Sequence, residues 1–141
     1  MSTPAEDRTA IEELLARYNE VTDEEDWDAW AGCFTDGGAF QGAYDRFTLP
    51  GELDRYVEHA SGILADWPNL RHYMTNIRIA VDGDRATCRS FLLMTSTKPG
   101  ELPANVMAGT YDDELVRTAE GWRFASRTVT LDGAVAREAT A

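Results

Sequence analysis

The apolar residues of this chain repeat at helical spacing as far as Trp67 and at strand spacing from Leu70 onward, and that one change of period dictates an α+β fold. Upstream, Ile11, Leu14, Leu15, Tyr18 and Val21 make the stripe of a helix whose start is marked by Thr3, Pro4 and Glu6. Thr22 and Glu25 carry a second start signal, followed by the stripe Trp27, Trp30, Ala31, Phe34 and the stop Asp36-Gly37-Gly38. The stretch from Phe40 to Phe47 mixes glycines with aromatics and shows no period. Pro50 then opens a third helix with the stripe Leu53, Tyr56, Val57, Ala60, Ile63, Leu64 and Trp67, and Pro68 stops it.

Downstream, β-branched and aromatic residues run in four segments, Arg71–Val81, Arg85–Thr97, Ala104–Thr118 and Trp122–Leu131. Asp82-Gly83, Lys98-Pro99-Gly100 and Glu120-Gly121 separate them, which predicts an antiparallel meander. Three helices followed by long hairpin-connected strands imply a curved sheet wrapped around the helices. A chain of 141 residues holds one core, so residues 1–141 are expected to form a single domain, with a loose tail after Gly133. The net charge of −12, from 25 acidic against 13 basic residues, repels phosphate backbones and anionic lipid and so argues against nucleic-acid and membrane partners. Cys33 and Cys88 lie in apolar stretches without CxxC spacing, as buried reduced thiols do, and the N-terminus lacks a basic region with an apolar run behind it. The protein is expected to be soluble, unprocessed and cytoplasmic.

Several segments, in order, resemble the SnoaL-like proteins of the NTF2-like superfamily: Tyr18 to Asp28 with Phe34-Thr-Asp36-Gly37, Leu70 to Asn76, Val81 to Ala86, Gly109-Thr-Tyr111-Asp, and Gly121-Trp122-Arg-Phe124-Ala-Ser-Arg127. That resemblance implies a cone-shaped fold around one apolar pocket, no cofactor, and a homodimer or homotrimer formed through the open sheet face. Within the superfamily the pattern is similar to scytalone dehydratase and bile acid 7α-dehydratase, whose helix-one tyrosine, helix-two aspartate and first-strand histidine fall at Tyr18, Asp23 and His72. Arg127 resembles a pocket arginine of the bile acid enzyme. The second catalytic histidine of scytalone dehydratase has no counterpart, Ser90 standing nearest, and the general-base aspartate of the ketosteroid isomerases falls at Gly42.

Dehydration of a β-hydroxy carbonyl compound needs a base for the α-proton, an acid for the leaving hydroxyl and a donor for the enolate. His72 suits the base, Asp23 the group that fixes its tautomer, and Tyr18 the phenol donor. Arg127, Asn76 and Ser90 are candidate substrate-binding groups. Trp27, Phe40 and Met94 belong to an aromatic and methionine set larger than a minimal core needs, which fits a small hydrophobic substrate. Each residue also has a plainer reading. Strand alternation pairs His72 with Met74 and Asn76, against the apolar set Tyr73, Ile77, Ile79 and Val81, so it could face water. Asp23 or Thr22 could cap the second helix, Tyr18 could be core, and His59 reads as a solvated surface residue. The two histidines stand on different elements, which argues against a metal site. The expected activity is a cofactor-independent lyase or isomerase, dehydration leading. Aldol cyclisation through the same enolate, or a non-catalytic binding or oligomerisation domain, are the rivals.

Overall fold

A computed structural model describes residues 1–134; the expected tail after Gly133 otherwise lies outside the described residues. Helix α1 spans Pro4–Asp23, α2 Trp27–Ala31 and α3 Leu53–Asp66. The strands are β1 Phe34–Gln41, β2 Arg46–Thr48, β3 Arg71–Asp82, β4 Arg85–Ser96, β5 Ala104–Thr118 and β6 Gly121–Leu131. They form one six-stranded sheet in the order β2-β1-β6-β5-β4-β3. Strands β3 to β6 are the expected antiparallel meander. Its last strand then pairs in parallel with β1, which makes a hairpin with β2.

Helix α1 begins where the residues predict: the Thr3 side chain accepts from the Glu6 amide while the Glu6 carboxylate accepts from the Thr3 amide. Its stripe buries Ile11, Leu14, Leu15, Tyr18 and Val21 against the sheet. Near its start, Asp7 is buried and accepts from both terminal nitrogens of Arg117 on β5, at 2.7 and 2.9 Å. Arg117 holds the Asp7 carboxyl far below the usual carboxylate range and also pairs with Asp84 at 2.9 Å, pinning α1 to the β3–β4 turn.

Helix α2 is shorter than its pattern suggested, because its cap is Asp26, which accepts from the Ala29 amide. Thr22 and Asp23 are the last residues of α1 and cap nothing on α2. Phe34 opens β1, and Asp36-Gly37-Gly38 lies inside that strand, where the register to β6 shifts between Phe34 and Ala39. Gly37 has φ +78°, and a Cβ on Gly38 would meet the Phe124 carbonyl at 2.9 Å. The glycines therefore mark an irregularity within a strand and not a helix stop.

A bulge in β3 decides which way His72 points. Thr75 pairs with Phe91 and Arg78 with Arg89, so Asn76 and Ile77 together face the single residue Ser90, and Asn76 has φ +55°. The extra residue reverses the alternation. Before it, His72 and Met74 turn towards the helices while Tyr73 is exposed; after it, Ile79 is buried and Arg78 and Ala80 are exposed. The parity conflict read in the sequence is resolved by this inserted residue. Asn76 itself is exposed, outside the cavity in which it was expected to bind substrate. Tyr73, Ile77, Phe91 and Leu93 form exposed apolar surface on the outer side of β3 and β4, the face the expected oligomer would cover. Among the described residues no helix is long and apolar enough to cross a membrane.

Because Asn76 occupies the left-handed region, Asn76→Gly is expected to preserve or raise the melting temperature. Asn76→Val is expected to cost about 1–2 kcal/mol in chemical denaturation. Equal stability of the two variants would contradict the bulge.

Candidate functional site

Helix α1 ends with Asp23 beside the first residues of β3, and the contact between them is double. The Asp23 carboxylate accepts the backbone N–H of His72 at 3.1 and 3.3 Å and meets the ring Nδ1 at 2.6 Å. Gripped at main chain and ring by one carboxylate, the imidazole has little freedom; the His72 side chain is 10% exposed and that of Asp23 21%. With Nδ1–H donated to Asp23, the ring nitrogen left with a lone pair is Nε2. His72 borders a cavity of about 510 Å³, a volume suited to a small organic molecule.

The cavity lies between α1, α3 and the inner face of the sheet. Tyr18, Phe40 and Met94, all anticipated, line it. Tyr18 is 2% exposed, its ring edge-on to Phe34, Tyr111 and Phe124, and burial pushes its phenol well above the ordinary range, so it is a proton donor and not a phenolate near neutrality. Trp27 lines a smaller adjoining space of about 60 Å³ bounded by Thr22, Asp23, Leu70 and His72. That space lies against the Asp23 side of the pair.

Two further tyrosines border the cavity. Tyr111 on β5 alternates inward with Asp113 and Leu115, and burial pushes its phenol upward. Tyr56 on α3 stacks on Trp30 at 3.8 Å with planes 6° apart, and burial raises its phenol too. The sequence offered signals for both, Tyr111 in the Gly109–Asp112 match and Tyr56 on the α3 stripe, but a stripe does not separate core from cavity wall. Gly42 also borders the cavity; where the resemblance to ketosteroid isomerases puts an aspartate, this wall has no side chain. His59, expected at the solvated surface, reaches the rim.

Arg127 and Ser90 do not line the cavity. Ser90 is fully buried and donates to the Met74 sulfur at 3.3 Å. Arg127 is fully buried beneath the tyrosines, its guanidinium 3.6 Å from the Tyr111 ring centre and 4.2 Å from that of Tyr18. Its Nε lies 3.1 Å from Asp113 Oδ1 without hydrogen-bond alignment, and Nη2 donates to the Met74 sulfur. Burial pushes the Asp113 carboxyl up to about 6 against the pull of Arg127. The rings cover the cation, so the expected substrate contact gives way to a cation–π support under the cavity floor. Among the described residues no three His, Cys, Asp or Glu side chains gather to hold a metal ion.

Helices enclosed by a curved, unclosed six-stranded sheet, with an apolar cavity between them, define an NTF2-like fold. A solved NTF2-like protein with a cystatin-like fold from Novosphingobium aromaticivorans superposes with a TM-score of 0.81 at 23% identity, covering 94% of this chain and 86% of that one. The chain belongs to the SnoaL-like domain family, whose profile matches residues 3–128. It is 31% identical over 129 residues to the uncharacterized protein Rv2910c of Mycobacterium tuberculosis, covering 88% of this chain and 84% of the relative. The solved structure of Rv3472(D26N), a protein of unknown function from Mycobacterium tuberculosis, matches with a TM-score of 0.78 at 30% identity, over 92% of this chain and 76% of that one.

Removing one half of the buried ion pair strands the other charge. Asp113→Ala is expected to cost about 3–5 kcal/mol in urea unfolding, and adding Arg127→Met to recover most of that loss. A double variant as unstable as the single one would contradict this account of the pair.

Proposed function

We propose that the protein is a cofactor-independent lyase or isomerase acting on a small hydrophobic carbonyl compound, with dehydration through an enolate as its reaction. Membership of the SnoaL-like family supports the coarser half of this reading, chemistry on a small molecule. The observation that carries it is the 2.6 Å contact between His72 Nδ1 and Asp23, made by an imidazole bordering an apolar cavity that the buried tyrosines Tyr18, Tyr56 and Tyr111 also line.

In this reaction His72 Nε2 takes the proton α to the carbonyl, and the C–H electron pair becomes the enolate. Asp23 stabilises the imidazolium that forms and keeps the ring oriented. Tyr18 and Tyr111, held protonated by burial, donate to the developing enolate oxygen in a site where hydrogen bonds act at low dielectric. The C–O bond at the β-carbon then breaks, the alkene forms, and the imidazolium proton leaves with the hydroxide as water. The enolate step is shared with an intramolecular aldol closure, in which the same carbanion attacks a second carbonyl. The absence of a carboxylate at Gly42 favours His72 as the base.

Proton NMR in deuterated water, with a panel of hydrophobic β-hydroxy ketones, tests the proposal. Wild type is expected to accelerate α-deuteration or alkene formation, and His72→Gln to lose about 10²–10⁴-fold of that rate. Ligand line-broadening by wild type with no exchange would overturn catalysis and leave a binding pocket.

A further inference from the structure

The polar groups around the cavity fall into two sets that differ in depth. Tyr18, Tyr56, Tyr111 and His72 sit at the buried end, whereas Tyr44, His59 and Asp66 border the same cavity at the rim beside exposed Trp67. The apolar walls include Phe40, Ile63 and Met107. A cavity with a polar group at each end and apolar walls between selects a molecule of the same pattern.

His59 is held at the rim from two sides. Its Nδ1 faces Asp45 of the β1–β2 turn at 3.9 Å, and its ring lies 5.3 Å from that of Phe47, centre to centre. Its side chain is 33% exposed. With Nδ1 turned to Asp45, Nε2 is the ring nitrogen left to hydrogen-bond to a ligand. Asp45 and Asp66 place carboxylates at this rim, on a chain of net charge −12, so an anionic ligand group is repelled there and a neutral hydroxyl is not.

We propose that His59 is a specificity-determining residue that holds a hydroxyl at the outer end of the ligand, so that the cavity selects uncharged aromatic carbonyl compounds bearing a second oxygen opposite the carbonyl. This rests on reading the cavity as a site for hydrophobic carbonyl compounds. His59 takes no part in the proton transfers assigned to His72.

Two probes test it: 2-acetylnaphthalene, and 6-acetyl-2-naphthol, which adds a hydroxyl at the far end. Affinities are measured at neutral pH by calorimetry for wild type, His59→Phe and His59→Gln. The phenylalanine keeps a ring on Phe47 without a polar atom, and the glutamine keeps a hydrogen-bonding group. Wild type is expected to bind the naphthol about tenfold more tightly than the parent ketone, as one hydrogen bond allows. His59→Phe is expected to bring that ratio close to one, and His59→Gln to keep most of it, with unchanged affinity for the parent ketone showing that all three proteins are folded. A preference that survives in His59→Phe overturns the assignment, as does wild type that binds both probes equally. If wild type binds neither probe, the reading of the cavity falls and this inference falls with it.

Discussion

The contact between Asp23 and His72 joins the end of the longest helix to the start of the meander, and the site depends on it. A carboxylate at a helix C-terminus meets the negative end of the helix dipole, so this position is unfavourable unless donors compensate. Here the donors are the His72 amide and its ring N–H, both supplied by β3. The helix end, the strand and the imidazole tautomer are therefore set by one group, and any shift of α1 along the sheet would move the ring in the cavity. At the other end of α1, Asp7 and Arg117 hold the helix in register, so it is tied to the sheet by a carboxylate near each end.

Beneath the cavity a second electrostatic layer carries the tyrosines. The fully buried Arg127 guanidinium is compensated by Asp113 and by the faces of Tyr111, Tyr18 and Phe124, and not by solvent. A cation stacked on a phenol ring stabilises developing negative charge on it, which offsets part of the penalty of burial for both tyrosines. The acid excess that gives the chain its net charge bears on the rim, where Asp45 and Asp66 stand. The inner end is thus furnished with hydrogen-bond donors and the rim with carboxylates.

Much of the architecture was legible because period and punctuation are local properties. The α1 stripe, its capping box, the α3 stripe and the three turns between the long strands all follow from residues close in sequence. What was not legible depends on contacts distant in sequence. The parallel pairing of β1 with β6 joins segments that carry no mutual signal, and the Gly37-Gly38 pair reads equally as a helix stop and as a strand irregularity. The alternation around His72 points the wrong way on a regular strand, and the bulge at Asn76 corrects it, since one inserted residue exchanges the two faces of a strand. Arg127, likened to a pocket arginine by resemblance alone, is buried, but the rings of Tyr18 and Tyr111 lie over it, and a sequence does not show which of two inward groups is the outermost. His59, off the α3 stripe, reached the cavity rim because the wall extends beyond the packed core.

The most direct measurement of the central claim is the nitrogen-15 spectrum of the His72 ring at a pH where it is neutral, with assignment by a His72→Gln control. A single Nδ1–H tautomer is expected, with Nε2 carrying the lone pair, and loss of that preference in Asp23→Ala. An Nε2–H tautomer, or a tautomer mixture that Asp23→Ala leaves unchanged, would contradict the claim that Asp23 presents His72 to the cavity as a base.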